Sequence, residues 1–231
     1  MTTVKLKRVV QSPCAITLAD KSLFKQQAYD AIKRLIQDST YQPGAFLSER
    51  QLAAEMGMSK TPVKAALERL EAEGFVTVSP QQGIVVRDLS IHEIADQFEI
   101  RLVLESFAVQ SIAGKVSDAN AVRLRENLRQ QQQAAKKMDV AASAQLDAAF
   151  HRLFCEFLGN QEILRVMLHL QEKMHRVVTR VFNQHSERLT PSFREHKAIA
   201  DAVLNGDAQQ AAAALKEHLN YGKQLLLSPN R

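Results

Sequence analysis

The sequence predicts a mainly α protein, with an N-terminal helix-turn-helix and its two-stranded wing followed by an all-α antiparallel bundle of six helices. Two short amphipathic patterns stand back to back between Leu47 and Leu70, and two strand-like runs joined by a Pro- and Gly-containing turn follow directly. From Ser90 onward apolar residues recur at helical spacing. Aromatic residues are 6% of the chain and Trp is absent, while Ala, Leu and Gln abound, a composition that favours helices.

Taken in order, Met1 to Asp20 has no clean period; Lys5, Lys7 and Arg8 precede its first acid, and a flexible arm is expected there. Ser22 is expected to cap a helix from about Leu23 to Gln37, with Ala28, Ile32, Leu35 and Ile36 as its buried stripe. Tyr41-Gln42-Pro43-Gly44 turns the chain into the central stretch. There Ser48 and Gln51 have the spacing of a capping box, and Leu52, Ala53 and Met56 are the apolar side of a first short helix. Gly57 stands where a left-handed residue would end that helix, and Ser59 where an N-cap would start the next. Pro62 falls in the first turn, where a missing N–H is harmless, and Val63, Ala66, Leu67 and Leu70 make one face core. Gly74 stops the helix; Phe75 to Val78 and Ile84 to Arg87 read as strands around the Pro80-Gln81-Gln82-Gly83 turn.

Lys60, Thr61 and Lys64 occupy the N-terminal end and open side of the second helix. Cations, a hydroxyl and free backbone N–H groups at a helix end suit phosphates and guanine edges in a major groove. Any surface helix can carry lysines, but a wing directly after it weighs toward DNA. Global charge adds little. The formal net charge is +5, and residues 1–88 hold 12 Lys+Arg against 9 Asp+Glu while residues 89–231 hold 18 against 16. Cys14 and Cys155 make no disulfide framework, and no secretory signal or apolar span of membrane length is seen, so a reduced, soluble, cytoplasmic protein is expected.

After a short Asp88-Leu89 linker, Ser90 with Glu93 gives a second capping box. Breaks at Gly114, Lys137-Met138-Asp139, Gly159-Asn160, Ser186 to Pro191 and Asn205-Gly206 predict helices near 91–113, 118–136, 140–157, 161–184, 191–204 and 208–227. The organisation expected is an arm over 1–20, a DNA-binding domain over 21–88 and a helical domain over 89–231.

Within the bundle, Asp147 and His151 stand four residues apart on a helix that is otherwise apolar through Leu146, Phe150, Phe154 and Phe157. This spacing stacks them on one face, as a hydrogen-bonded pair or as half of a metal site. His196 precedes the Asn205-Gly206 break and His218 follows it, each by some 14 to 18 Å at roughly 1.5 Å rise per residue, so they come level on adjacent antiparallel helices. One carboxylate and three imidazoles meeting there could hold a divalent transition metal with positions left open. Arg101 has the spacing of an ion pair with Glu105. Cys155 reads as a small buried hydrophobe, Gln130 to Gln133 as a solvated face, and His92, His169, His175 and His185 as surface or satisfied core residues.

The run PGAFLSERQLAAEMGMSKTPVKAALERLEAEGFVTVSPQQGIVV resembles the winged helix of GntR-type bacterial transcription regulators, without a gap from about Leu23 to Arg87. The resemblance implies that Arg50, Ser59, Lys60, Thr61 and Lys64, with Gln82 and Gly83 at the wing tip, lie at operator DNA. Lys stands at 60 and 64 where Arg is commoner in the family, and an ammonium lacks the bidentate fork of a guanidinium. Most of residues 90–228 is similar to the ligand-sensing FCD domain of the FadR-like branch. That likeness implies Asp147, His151, His196 and His218 as ligands of Zn, Ni or a similar ion, which helps hold a small carboxylate effector, and it places Arg101 near the effector. The function expected is a homodimeric regulator, a repressor, that is no enzyme and whose operator binding the effector controls. A metal-dependent hydrolase and a regulator with a metal-free effector pocket are the alternatives.

Overall fold

The computed structural model describes residues 18–79 and 83–227. The chain divides into two compact units, one ending at Arg87 and the other running from Asp88, with Gln37–Ser39 grouped with the second. The expected arm lies almost wholly outside the described residues.

The first unit holds α1 (Leu18–Gln37), β1 (Phe46–Leu47), α2 (Glu49–Glu55), α3 (Lys60–Ala72), β2 (Val76–Ser79) and β3 (Gly83–Val86). Helix α1 begins at Leu18, so Ser22 lies inside it and not at its cap; nothing in LADKS breaks a helix. Ser48 has the extended backbone of an N-cap, but its side chain makes no capping bond, and Gln51 donates to Glu55 Oε1 at 2.9 Å instead. The expected capping box is therefore absent, because Gln51 finds a partner one turn ahead. Ser59 likewise caps α3 by position and not by a side-chain bond. Gly57, with φ +61°, takes the left-handed conformation that reverses the chain between the two helices.

The wing has a third strand that is too short to show a period. β1 pairs with β3, which also pairs with β2, all antiparallel, with Leu47 opposite Ile84 and Val76 opposite Val86. These residues join Ala28, Ile32 and Ile36 of α1, Leu52 of α2, and Val63, Leu67 and Leu70 of α3 in one core. Behind it, Lys33 Nζ donates to Tyr29 Oη at 2.5 Å, Tyr29 donates to Glu73 at 2.6 Å, and the Arg69 guanidinium covers the Tyr29 ring at 3.7 Å. The C-terminal end of α3 is thereby tied to α1.

The second unit is built from α4 (Ile91–Ile112), α5 (Asp118–Lys136), α6 (Val140–Leu158), α7 (Gln161–Gln184), α8 (Leu189–Asn205) and α9 (Ala208–Leu227). The Ser90–Glu93 capping box is formed in both directions, and Gly159 and Gly206 end α6 and α8 in the left-handed conformation. A 3-10 turn over Ser186–Arg188 leads into α8, which starts at Leu189, so Pro191 sits in its first turn and does not delay it. Helix α4 packs on α9, α6 and α7, and α5 packs on α6 and α8. Phe150, Phe154, Met167, Ile199 and Leu215 are fully buried at the centre. Among the described residues no helix is long and apolar enough to cross a membrane.

Leu67 is 1% exposed in the first core. Leu67→Ala should therefore lower stability by about 2–5 kcal/mol, read from the urea midpoint of the transition that the first unit contributes; a change below about 0.5 kcal/mol is what an exposed position would give.

Candidate metal centre and nucleic-acid interface

Helix α6 carries Asp147 and His151, α8 carries His196 and α9 carries His218, and the bundle brings all four together, buried. Their ligand atoms lie within 4.8 Å of one another. His218 Nε2 is 3.1 Å from His196 Nε2 and 3.2 Å from His151 Nε2, and Asp147 Oδ1 is 3.5 Å from His196 Nε2. Metal–ligand bonds of about 2.0–2.1 Å put neighbouring donors roughly 2.9 Å apart in octahedral and about 3.3 Å apart in tetrahedral geometry. The three short separations and the chemistry of the donors suit a divalent transition ion, around which the widest separations, up to 4.8 Å, would contract to about 4.1 Å or less.

The far nitrogens say why the near ones converge. His151 Nδ1 faces Glu105 Oε2 at 2.5 Å, His218 Nδ1 faces Glu195 Oε2 at 2.8 Å, and His196 Nδ1 faces Gln131 Oε1 at 2.7 Å. Carboxylates and an amide oxygen only accept, so each Nδ1 carries a proton, and in the neutral ring it is the Nε2 lone pair that is free for the centre. The amide orientation of Gln131 is set in turn, since its Nε2 donates to Asn127 Oδ1 at 2.6 Å and Asn127 Nδ2 donates to Leu146 O at 3.2 Å. Three lone pairs pointed at one place repel one another unless a cation or a proton lies between them.

Electrostatics agree. Burial, joined by the neighbouring imidazoles and arginines, holds the His196 pKa well below the usual histidine range. Burial lowers that of His218 too, against the opposing hydrogen bond to Glu195. Burial raises the pKa of Glu105 and Glu195, but this is outweighed: Arg101 and His151 bring Glu105 to about 2, and the bonds from His218 and Arg188 bring Glu195 to about 2. Neutral imidazoles backed by ionised carboxylates are the state a metal needs.

Arg101 donates from Nε to Glu105 Oε1 at 2.8 Å, so the expected ion pair exists, and the same residue lines two small cavities beside the centre. One, about 20 Å³, is bounded by Arg101, Asp147, Gln171 and His175; the other, about 50 Å³, by Arg101, Arg188, Ser192 and His218 among apolar side chains. Cys155 is fully buried and its thiol is pushed up to about 12 by burial, with Glu105 adding to it. Glu105, Asn127, Gln131, Arg188 and Glu195 were not legible as parts of this centre. Gln131 in particular is 6% exposed and not on a solvated face. The signal lay in the period of α5, where Ala121, Leu124, Asn127, Gln131 and Ala134 form one continuous buried stripe.

In the first unit Arg50, Ser59, Lys60, Thr61, Lys64 and Gly83 are all exposed, on α2, at the N-cap and in the N-terminal half of α3, and at the start of β3. Lys64 approaches Glu68 at 3.9 Å with both side chains mostly in solvent, a contact that binds neither firmly. Gln82 lies outside the described residues.

Comparison with known proteins agrees with both halves. Residues 24–86 match the model of bacterial regulatory proteins of the gntR family, and residues 96–221 match the FCD domain. The chain belongs to the gntR family and carries an FCD domain. It is 30% identical over 197 residues to an HTH-type transcriptional regulator in an unstable DNA locus of Streptomyces ambofaciens, covering 84% of this chain and 81% of that one. It is 26% identical over 194 residues to the HTH-type transcriptional repressor RspR of Escherichia coli K12, covering 84% and 85%. Two solved structures share its fold: Escherichia coli McbR/YncC, with TM-score 0.76 and 22% identity over 89% of this chain and 98% of that one, and a GntR transcriptional regulator from Rhodococcus sp. RHA1, with TM-score 0.79 and 22% identity over 90% and 99%. This gntR protein is thus a DNA-binding transcriptional regulator and not an enzyme, which removes the hydrolase alternative.

Because the folded pKa values of His196 and His218 lie below the unfolded value of 6.5, the unfolded chain binds more protons as pH falls through that value. Stability is therefore present above about pH 6.5 and lost below it, with Glu105 and Glu195 adding to the loss only between 4.5 and about 2. The melting temperature of chelator-treated protein should drop between about pH 7.5 and pH 5.5; an unchanged value across that window contradicts neutral buried histidines.

Proposed function

We propose that this gntR regulator is a homodimeric repressor whose hold on operator DNA is released when a small carboxylate binds a divalent metal, zinc or nickel, held by Asp147, His151, His196 and His218. The observation that carries it is the common aim of three Nε2 lone pairs, each enforced by an acceptor on the opposite nitrogen. A hydrogen-bonded cluster without metal would need an added proton on one of those nitrogens, a buried imidazolium that burial disfavours at His196 and His218. An ion held by these four residues would supply a Lewis-acidic anchor for the carboxylate. The chain's own residues do the rest: Glu105, Gln131 and Glu195 keep the imidazoles oriented, and Arg101 lines the neighbouring space.

At the DNA end, Arg50, Ser59, Lys60, Thr61 and Lys64 face the duplex, with Gln82 and Gly83 at the wing, and a twofold pair of recognition helices reads a pseudo-palindrome. Exposure of Ile100, Val103 and Phe107 at helical spacing on α4 supports a dimer, since this apolar stripe is uncovered in the single chain. The repressor sense is supported by RspR, described as a repressor. A protein that acts on chromosomal operators of a bacterium works in the cytoplasm.

The test is an operator titration by fluorescence anisotropy, with and without effector. Lys64→Ala should weaken specific and random duplex alike by about tenfold and flatten the salt slope, while Thr61→Ala should change sequence preference more than the slope. His196→Ala should leave operator affinity unchanged and abolish release by effector. Release that persists in zinc-free His196→Ala protein would sink the metal reading.

A further inference from the structure

Charges around the centre select the kind of acid. The ionised groups that line the two cavities are Arg101, Arg188 and Asp147. Arg101 is paired with Glu105, and Arg188 donates from Nη1 and Nη2 to both oxygens of Glu195 at 2.8 and 2.7 Å. Besides the proposed ligand His218, the other titratable wall residue is His175, held neutral by burial, which outweighs the attraction of Asp147. Two arginines, two glutamates and Asp147 leave one negative charge, and a divalent ion turns this into one positive charge. The centre then needs one anion and has no second cation left unengaged by a carboxylate. Beyond the arginines, the larger cavity is walled by Phe98, Val181, Phe182, Leu219, Leu225 and Leu226. Its 50 Å³ would hold roughly four water-sized groups.

We infer that the effector is a monocarboxylate with a short apolar body of a few carbons, and that the Arg101–Glu105 and Arg188–Glu195 pairs exclude dicarboxylates of the same length. This inference rests on the metal–effector reading above. A second carboxylate would have to enter among apolar side chains, or break the buried Arg101–Glu105 pair or the half-buried Arg188–Glu195 pair and take the arginine from that glutamate. A methyl-ended chain meets neither obstacle and removes apolar surface from water. The two pairs serve twice, because Glu105 and Glu195 also accept from His151 and His218, so a ligand that disturbed either pair would loosen a metal ligand as well.

The experiment is calorimetric titration of the zinc-loaded full-length protein with pentanoate and with glutarate, which differ in the far end alone. Pentanoate should bind at least tenfold more tightly. Equal or tighter binding of glutarate overturns the inference while leaving the metal–effector reading intact; a protein that takes up no zinc overturns both. In Glu195→Gln, with zinc content checked in parallel, one more positive charge should narrow the preference by about tenfold. Arg188→Gln, which leaves the centre neutral, should weaken pentanoate by a similar factor with zinc content unchanged. Preferences that stay the same in both variants rule out charge selection by these pairs.

Discussion

Three imidazoles and one carboxylate turned toward a single point deep inside a helical bundle are the constraint from which the rest of the second unit follows. Burying such groups is costly unless each is satisfied. For the three imidazoles the bundle meets the requirement by drawing on nearly every helix: α4 brings Arg101 and Glu105, α5 brings Asn127 and Gln131, α6 brings His151, α8 brings Glu195 and His196, and α9 brings His218. Arg188, from the 3-10 turn before α8, closes the set by donating two hydrogen bonds to Glu195. Whatever fills the centre binds the folded state and not the unfolded chain, and so adds to stability by mass action.

In the proposed scheme regulation would follow from linkage and not from contact between the effector and DNA. An effector can release the operator only if it binds one state of the protein better than the other, and operator and effector then weaken each other by the same factor. The centre is suited to such bias because its hydrogen-bond partners come from distant parts of the chain. Glu105 reaches His151 across 46 residues of sequence and Gln131 reaches His196 across 65. A small change of ligand position therefore acts on several helices at once.

Much of this was legible in the amino-acid sequence, for physical reasons that can be named. Gly57, Ser59 and Pro62 announced the helix-turn-helix because left-handed geometry, capping position and a missing N–H each favour a residue type. Gly159, Asn160 and Gly206 did the same for the bundle, and equal rise on either side of the last turn placed His196 level with His218. The acceptors behind the histidines were hidden, since no local period reports a contact between helices far apart in sequence. Strand β1, two residues long, is too short to show alternation, and the start of α1 escaped because Ser22 is as acceptable inside a helix as at its cap. The Ser48–Gln51 spacing promised a bond that Gln51 makes elsewhere.

The central claim, that Asp147 and three histidine Nε2 atoms hold one metal ion, is tested most directly by X-ray absorption at the zinc edge of the zinc-loaded protein. The account predicts a first shell of nitrogen and oxygen alone at about 2.0–2.1 Å, with outer scattering from three imidazoles that falls to two in His218→Ala. A sulfur shell, or a spectrum that His218→Ala leaves unchanged, would contradict it.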